Sequence, residues 1–167
     1  MLFRSQRLQK APADVEAKVK LEQVTTALSA YEIKEYRRKV GLRPDDMNLR
    51  LLLGQTLAKA GKHDEAITEY QAARKSPPHQ VQANTLAGES FEANGAVKLA
   101  ERHYQEALRA ADATDHATVN HLHYRLGRIA EAQGNKGEAE EHYNEVAAND
   151  YSYLDVAERL RNLALNS

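Results

Sequence analysis

The sequence predicts an all-α protein in which helical hairpins stack into a solenoid, and three observations support this class. The 167 residues are dominated by strong helix formers such as Ala, Glu, Leu, Lys, Arg and Gln, with only 8 Gly and 4 Pro. A template of glycine, glycine, alanine, tyrosine and a small apolar residue occurs three times, at successive offsets of 34 and 39 residues. Such a period is typical of repeats that are each one helical hairpin, and the length suits one continuous core.

The composition excludes several functional classes. The chain has 23 Lys and Arg against 24 Asp and Glu, a net charge of −1, which argues against nucleic acid and anionic membranes as partners. It has no cysteine, so disulfides, thiolate metal sites and cysteine nucleophiles are excluded. No apolar run approaches the roughly 18 residues of a membrane span, and charges occupy the place of a signal sequence. We therefore expect a soluble, cytoplasmic protein.

The N-terminal part is expected to hold a degenerate repeat. Residues 1–12 lack helical periodicity and are expected to be disordered or frayed. Residues 13–46 are expected to form a helix pair, because Tyr36 and Pro44 lie 34 residues before Tyr70 and Pro78. A capping-box spacing from Ser29 to Glu32 marks the expected start of the second helix.

The first of these N-terminal helices carries a short heptad seam. Its apolar residues alternate by four and three positions: Ala17, Leu21, Val24, Leu28 and Tyr31. This pattern favours packing on the first repeat over a dimerising coiled coil, since two heptads are few.

Three full repeats are expected at 47–80, 81–119 and 120–153, the second with an extended loop. In each repeat the first helix ends at a glycine, which adopts a left-handed cap without steric cost. A second glycine lies inside each first helix, where it costs about 1 kcal/mol relative to alanine, and this predicts a close helix crossing. The capping glycines are Gly61, Gly95 and Gly134, and the internal glycines are Gly54, Gly88 and Gly127. The internal glycines are expected to face the alanines of the second helices, Ala66, Ala100 and Ala139. The tyrosines expected to fill the space between consecutive helix pairs are Tyr70, Tyr104 and Tyr143.

This framework resembles the tetratricopeptide repeat family. The resemblance covers residues 47–153 and implies a right-handed α-solenoid that binds other proteins. The sequence departs from the family at the fourth position of the first helix, usually aromatic, where it has Arg50, Asn84 and His123. Residues 154–167 are expected to form a C-terminal capping helix, because an open last repeat would expose its apolar side. The segment Tyr-x-Asp-Val-Ala-x-x-Leu at 153–160 resembles the closing helix of many bacterial members.

The sequence offers no candidate catalytic, cofactor-binding or metal-binding residue. Phosphate-binding glycine loops and nucleophile motifs are absent, so we do not expect an enzyme. His116, His121 and His123 cluster, but on one helix His116 and His123 lie about 10.5 Å apart, too far to share one ion. His103 and His142 occupy equivalent positions in adjacent repeats, so they could be neighbours across stacked hairpins.

The predicted function is a protein-interaction module or scaffold that binds a peptide or a partner helix in a concave groove. The resemblance places first-helix side chains in this groove, with Tyr124 as the exposed aromatic candidate. Only Arg125 matches the clamp that holds acidic chaperone tails, so that subtype is not expected. The groove positions are Asn48, Leu51, Gln55, Lys59, Gln82, Thr85, Glu89, Glu92, His121, Tyr124, Arg128 and Glu131.

Three alternatives stay open. The chain could assemble with copies of itself through the heptad seam or an end of the solenoid. It could be the adaptor segment of a longer protein whose catalytic part is absent. The groove row could also be an ordinary solvated face, since every solenoid has one.

Overall fold

The structure is a computed structural model that describes residues 12–165, with side chains from residue 15 onward. The segment predicted to be disordered, 1–12, therefore lies outside the described residues except for Pro12. Apart from one short 3-10 turn at Pro77–His79, the regular elements of the described part are α-helices, which confirms the all-α class. They are α1 (Pro12–Leu42), α2 (Met47–Lys59), α3 (His63–Ala73), α4 (Gln80–Ala93), α5 (Val97–Ala110), α6 (His116–Ala132), α7 (Lys136–Asn149) and α8 (Val156–Leu165).

The helices pair in chain order into three hairpins, α2–α3, α4–α5 and α6–α7. The second helix of each hairpin packs on the first helix of the next, so that α3 contacts α4, α5 contacts α6 and α7 contacts α8. This order of contacts is that of an α-solenoid, as the repeats predicted.

Each hairpin turns at the predicted capping glycine. Gly61, Gly95 and Gly134 have φ of 75°, 74° and 79°, the left-handed region that favours glycine. The residue after each glycine donates its N–H back into the helix, as Lys62 does to the Leu57 carbonyl at 2.9 Å. This is the hydrogen bond of a Schellman C-cap.

The internal glycines do mark a close approach, but the predicted partner was wrong. A Cβ on Gly88 would lie 2.5 Å from Cε1 of Tyr104, and one on Gly127 would lie 2.6 Å from Cε1 of Tyr143. The tyrosine ring of the second helix therefore covers the glycine of its own hairpin. The fully buried alanines are not the nearest neighbours, because the longer tyrosine side chain reaches the glycine first.

The N-terminal helix pair predicted for 13–46 is instead one continuous helix, α1. Ser29 lies inside this helix rather than at the start of a second one. The physical reason is that residues 13–40 contain neither glycine nor proline, so nothing ends the first helix before the capping box. Only the second half of α1 is packed: Ile33 and Val40 are buried in the cluster that contains α2.

The C-terminal helix α8 covers the last hairpin. Val156 is fully buried and Leu163 is nearly so, in one cluster with Tyr143 and Val146 of α7. The opposite side of α8 carries exposed Glu158 and Arg161. This is the polar outer face that the end of a solenoid requires. Separately, a search of the described helices finds none whose length and hydropathy together would suit a membrane span.

Candidate functional site

The candidate site is the surface formed by side chains of α2, α4 and α6, called here the first-helix face. Ten of the twelve predicted groove residues have exposed or half-buried side chains. They are Asn48, Gln55, Lys59, Gln82, Thr85, Glu89, Glu92, His121, Arg128 and Glu131. The other two, Leu51 and Tyr124, are buried.

The burial of Tyr124 corrects the prediction of an exposed aromatic anchor. Its hydroxyl donates to Oδ1 of Asp155 at 2.8 Å, and its ring meets that of Tyr153 edge-on, with centroids 5.8 Å apart. Burial, together with the bond to Asp155, raises the pKa of Tyr124. The segment that leads into α8 thus occupies this position, and Arg128 stays exposed without Tyr124 beside it on the surface.

Leu51 is likewise a core residue rather than a groove residue. It is 3% exposed and belongs to the cluster around Leu53, Leu57 and Tyr70. The equivalent position of the second repeat, Thr85, is half-buried and donates its hydroxyl to the Val81 carbonyl at 2.9 Å. This register position therefore faces the helix stack.

Several polar residues of the first-helix face bind one another between consecutive repeats. Nε2 of His121 lies 3.2 Å from Oε1 of Glu89, and Nη2 of Arg125 lies 2.8 Å from Oε2 of Glu92. Nη1 of Arg159 in α8 lies 2.6 Å from Oε2 of Glu131. These contacts link the first helices of consecutive repeats, and in the last case link α6 to α8.

A tyrosine joins each of the two arginine pairs. The Tyr104 hydroxyl donates to Oε2 of Glu92 at 3.0 Å and accepts from Nε of Arg125 at 3.1 Å. Burial raises the pKa of the Tyr104 hydroxyl, which keeps it protonated and able to donate. The Tyr143 hydroxyl donates to Oε2 of Glu131 at 2.7 Å in the same way. We call each of these groups a Tyr–Glu–Arg triple.

We call the contacts from α2 to α4, from α4 to α6 and from α6 to α8 the first, second and third junctions. The second and third junctions hold the triples, and the first lacks one. Glu92 and Arg125 of the second junction correspond, one repeat earlier, to Ala58 and Leu86 of the first. On the same face Leu52 is 41% exposed. The first-helix face is thus apolar at its first junction and ionic at the next two. Sequence reasoning missed this contrast, although comparison of the repeats at fixed offset would have found it.

The family model of the tetratricopeptide repeat matches residues 13–80, 51–116 and 115–153, which together span most of the chain. The chain belongs to the tetratricopeptide repeat family. Among solved structures, a crystal structure of MamA is similar at 17% identity and a TM-score of 0.71, covering 87% of this chain and 82% of that one. A second crystal structure of MamA gives 17% identity and 0.70, covering 85% and 75%.

A crystal structure of BtubC (BKLC) from P. vanneervenii has the same fold at 18% identity and a TM-score of 0.58, covering 84% of this chain and 62% of that one. No curated protein matches the chain at a significant level. At these identities the solved structures show the fold of this tetratricopeptide protein and nothing finer.

In this tetratricopeptide chain the fourth position of the first helix forms a polar pair with the second helix. Arg50 and Glu69 form an ion pair at 2.9 Å. Nδ1 of His103 lies 2.9 Å from Oδ1 of Asn84, and the Nδ1 atoms of His123 and His142 lie 3.0 Å apart. All three pairs span 19 residues, a constant spacing that sequence reasoning overlooked. The aromatic residue that the family usually has here is replaced by these pairs.

Two of the histidines on second helices contact the first helix of their own hairpin: His103 through Asn84 and His142 through His123. Burial lowers the pKa of His103, His123 and His142, and the nearby His142 lowers the pKa of His123 further. Neutral rings suit these contacts, since one ring nitrogen donates and the other accepts. Within the described residues, no group of three or more His, Asp or Glu side chains is arranged to hold a metal ion.

Proposed function

We propose that the first-helix face binds an amphipathic peptide or helix of another protein, and that the chain is a non-catalytic interaction module. The observation that carries this proposal is the uneven character of the face. Its second and third junctions are closed by ionic pairs, whereas the first junction has Ala58 and Leu86 in their place, and Leu52 of α2 is 41% exposed. Exposed Leu52 and half-buried Leu86, on an otherwise polar face, are suitable contacts for apolar ligand side chains.

The charge of the face varies along the solenoid and suggests the polarity of the ligand. One register position holds neutral Gln55, then Glu89, then Arg128 in successive repeats. Glu89 is engaged by His121, whereas Arg128 is exposed and its planar guanidinium suits a carboxylate. We infer a ligand with an apolar residue at the first repeat and an acidic residue at the third. Further hydrogen-bonding groups are supplied by Asn48, Lys59, Gln82 and Thr85.

Selection from a random-peptide phage library on the immobilised protein tests this function. We expect the selected peptides to combine apolar residues with Asp or Glu. Calorimetric titration should show that Leu52→Glu and Arg128→Glu each weaken a selected peptide at least tenfold, about 1.4 kcal/mol.

Arg109→Glu is the matched control, because Arg109 is an exposed arginine on the second helix α5. It should leave the affinity unchanged. Equal weakening by Arg109→Glu and Arg128→Glu, or unchanged affinity in the Leu52 and Arg128 variants, would refute the proposed location. The repeat boundaries at 47–80, 81–119 and 120–153, the bacterial source and the cytoplasmic location stay predictions.

A further inference from the structure

The first half of α1 extends away from the rest of the described structure. Every residue from 15 to 28 is exposed, although the segment contains five large apolar side chains. The second half of the same helix is anchored on the solenoid by buried Ile33 and Val40 and by the ion pair of Arg37 with Glu65 of α3. The exposed half therefore continues a helix that is anchored on the solenoid by its second half.

The apolar residues of α1 form two faces. At 100° per residue, the seam lies about 150° around the helix from the face of Ile33 and Val40 that packs on α2. The exposed fractions of four seam residues are large: 67% for Leu21, 65% for Val24, 55% for Leu28 and 63% for Tyr31. Because the seam points away from α2, packing of α1 on its own solenoid leaves the seam uncovered. The seam consists of Ala17, Leu21, Val24, Leu28 and Tyr31.

We propose that this seam pairs with the same seam of a second copy of the chain, with the two helices antiparallel. Alternation by four and three residues is the spacing with which two helices interlock. In the symmetric register, Leu21 lies opposite Tyr31 of the second copy and Val24 lies opposite Leu28. Both layers then occur twice, which gives four apolar layers.

Charges beside the seam make one attractive and one repulsive contact in this register. In the antiparallel register Lys18 flanks Glu32 of the second copy, an attractive pair that occurs twice. Lys20 approaches Lys34 of the second copy, a like-charged contact that also occurs twice, and Glu16 lies beside it with a carboxylate oxygen 2.7 Å from Nζ of Lys20.

In a parallel pair, the contact between the two helices would extend to seam positions that carry like charges. It would set Glu35 against Glu35 and Arg38 against Arg38, both at seam positions. The antiparallel pair avoids these contacts and places the two solenoids at opposite ends of the helix pair. The second copy would thus cover the N-terminal end, as α8 covers the C-terminal end.

Sedimentation equilibrium of the full chain tests the pairing. We expect a reversible change from 18.7 kDa to twice that mass within a concentration range of about 1 µM to 1 mM. Leu28→Glu should raise the dissociation constant at least tenfold, because it places a charge in a central layer. Val19→Glu is the matched control: Val19 is 46% exposed on the same segment but lies outside the seam, so its dissociation constant should not change. A wild-type monomer throughout, or equal effects of the two variants, would overturn the proposal.

Cysteine cross-linking tests the orientation, since the chain has no native cysteine. Two alanine positions provide matched variants. In the antiparallel register Ala27→Cys lies close to its counterpart, whereas Ala17→Cys lies about 27 Å from its counterpart along the axis. We expect a short bismaleimide to link two copies of Ala27→Cys and not two copies of Ala17→Cys. The opposite result would indicate a parallel pair, and linkage of neither variant would overturn the pairing.

Discussion

Gly88→Ala is expected to destabilise the protein, although alanine is the better helix former. The substitution adds a single methyl group inside α4. That methyl would lie 2.5 Å from Cε1 and 2.7 Å from Cδ1 of Tyr104, well inside van der Waals contact. The Tyr104 ring must therefore move, or α4 and α5 must separate.

The magnitude follows from two opposing effects. Replacing glycine by alanine within a helix contributes about 1 kcal/mol of stability through the backbone. Overpacking a tight site costs about 1 to 3 kcal/mol. The ring cannot move freely, because its hydroxyl is bound to both Glu92 and Arg125 and the residue is fully buried. We therefore place the clash at the upper end, and the net loss at about 1 to 2 kcal/mol.

Urea unfolding monitored by circular dichroism measures this loss. Gly137→Ala is the control, because Gly137 lies in α7 with no atom within 4 Å of an added Cβ. It should be neutral or stabilising by up to about 1 kcal/mol. Gly88→Ala in a Tyr104→Leu background should cost less than in the wild type. If Gly88→Ala stabilises the protein as much as Gly137→Ala does, the reasoning about the glycine and tyrosine contact is wrong.

Three further predictions follow from the packing and the charges. Arg125→Met should destabilise the protein by about 1 to 3 kcal/mol, since half-buried Glu92 loses its ion-pair partner and keeps only the Tyr104 hydroxyl. Urea unfolding should show a smaller cost of Arg125→Met in the Glu92→Gln background. Truncation after Asp150 removes α8 and should cause aggregation or loss of cooperative unfolding, whereas a monomer with an unchanged midpoint would contradict the capping role. Stability should fall as the pH drops below about 6.5, because burial lowers the native pKa of His103 and the unfolded chain then binds more protons. His103→Gln should flatten that pH dependence of the urea midpoint, and an unchanged slope would exclude His103 as a source.

The repeat framework could be predicted from the sequence because identical residues recur at fixed offsets. The capping glycines illustrate this: a glycine followed by a new helix has few backbone solutions, and all three adopt the same left-handed turn. The same repeat register also predicts that the polar groove residues of α2, α4 and α6 are accessible to solvent, and all of them except Tyr124 are exposed or half-buried.

Other features depend on tertiary contacts that the repeat pattern does not encode. The repeat register predicts Tyr124 on the ligand-facing surface, but the segment before α8 covers it through Asp155 and Tyr153. The tyrosine rings reach the internal glycines from the second helix, a contact set by hairpin geometry rather than by spacing within one helix. The uninterrupted α1 shows that a capping box does not start a new helix where no residue ends the previous one.

Backbone amide shift mapping by NMR tests the central claim, binding on the first-helix face, most directly. A peptide selected on the protein is titrated into the isotope-labelled full chain. The account predicts that the largest shift changes cluster on α2, α4 and α6, around Gln55, Thr85 and Arg128. Changes concentrated on α3, α5 and α7, or on the exposed half of α1, would contradict it.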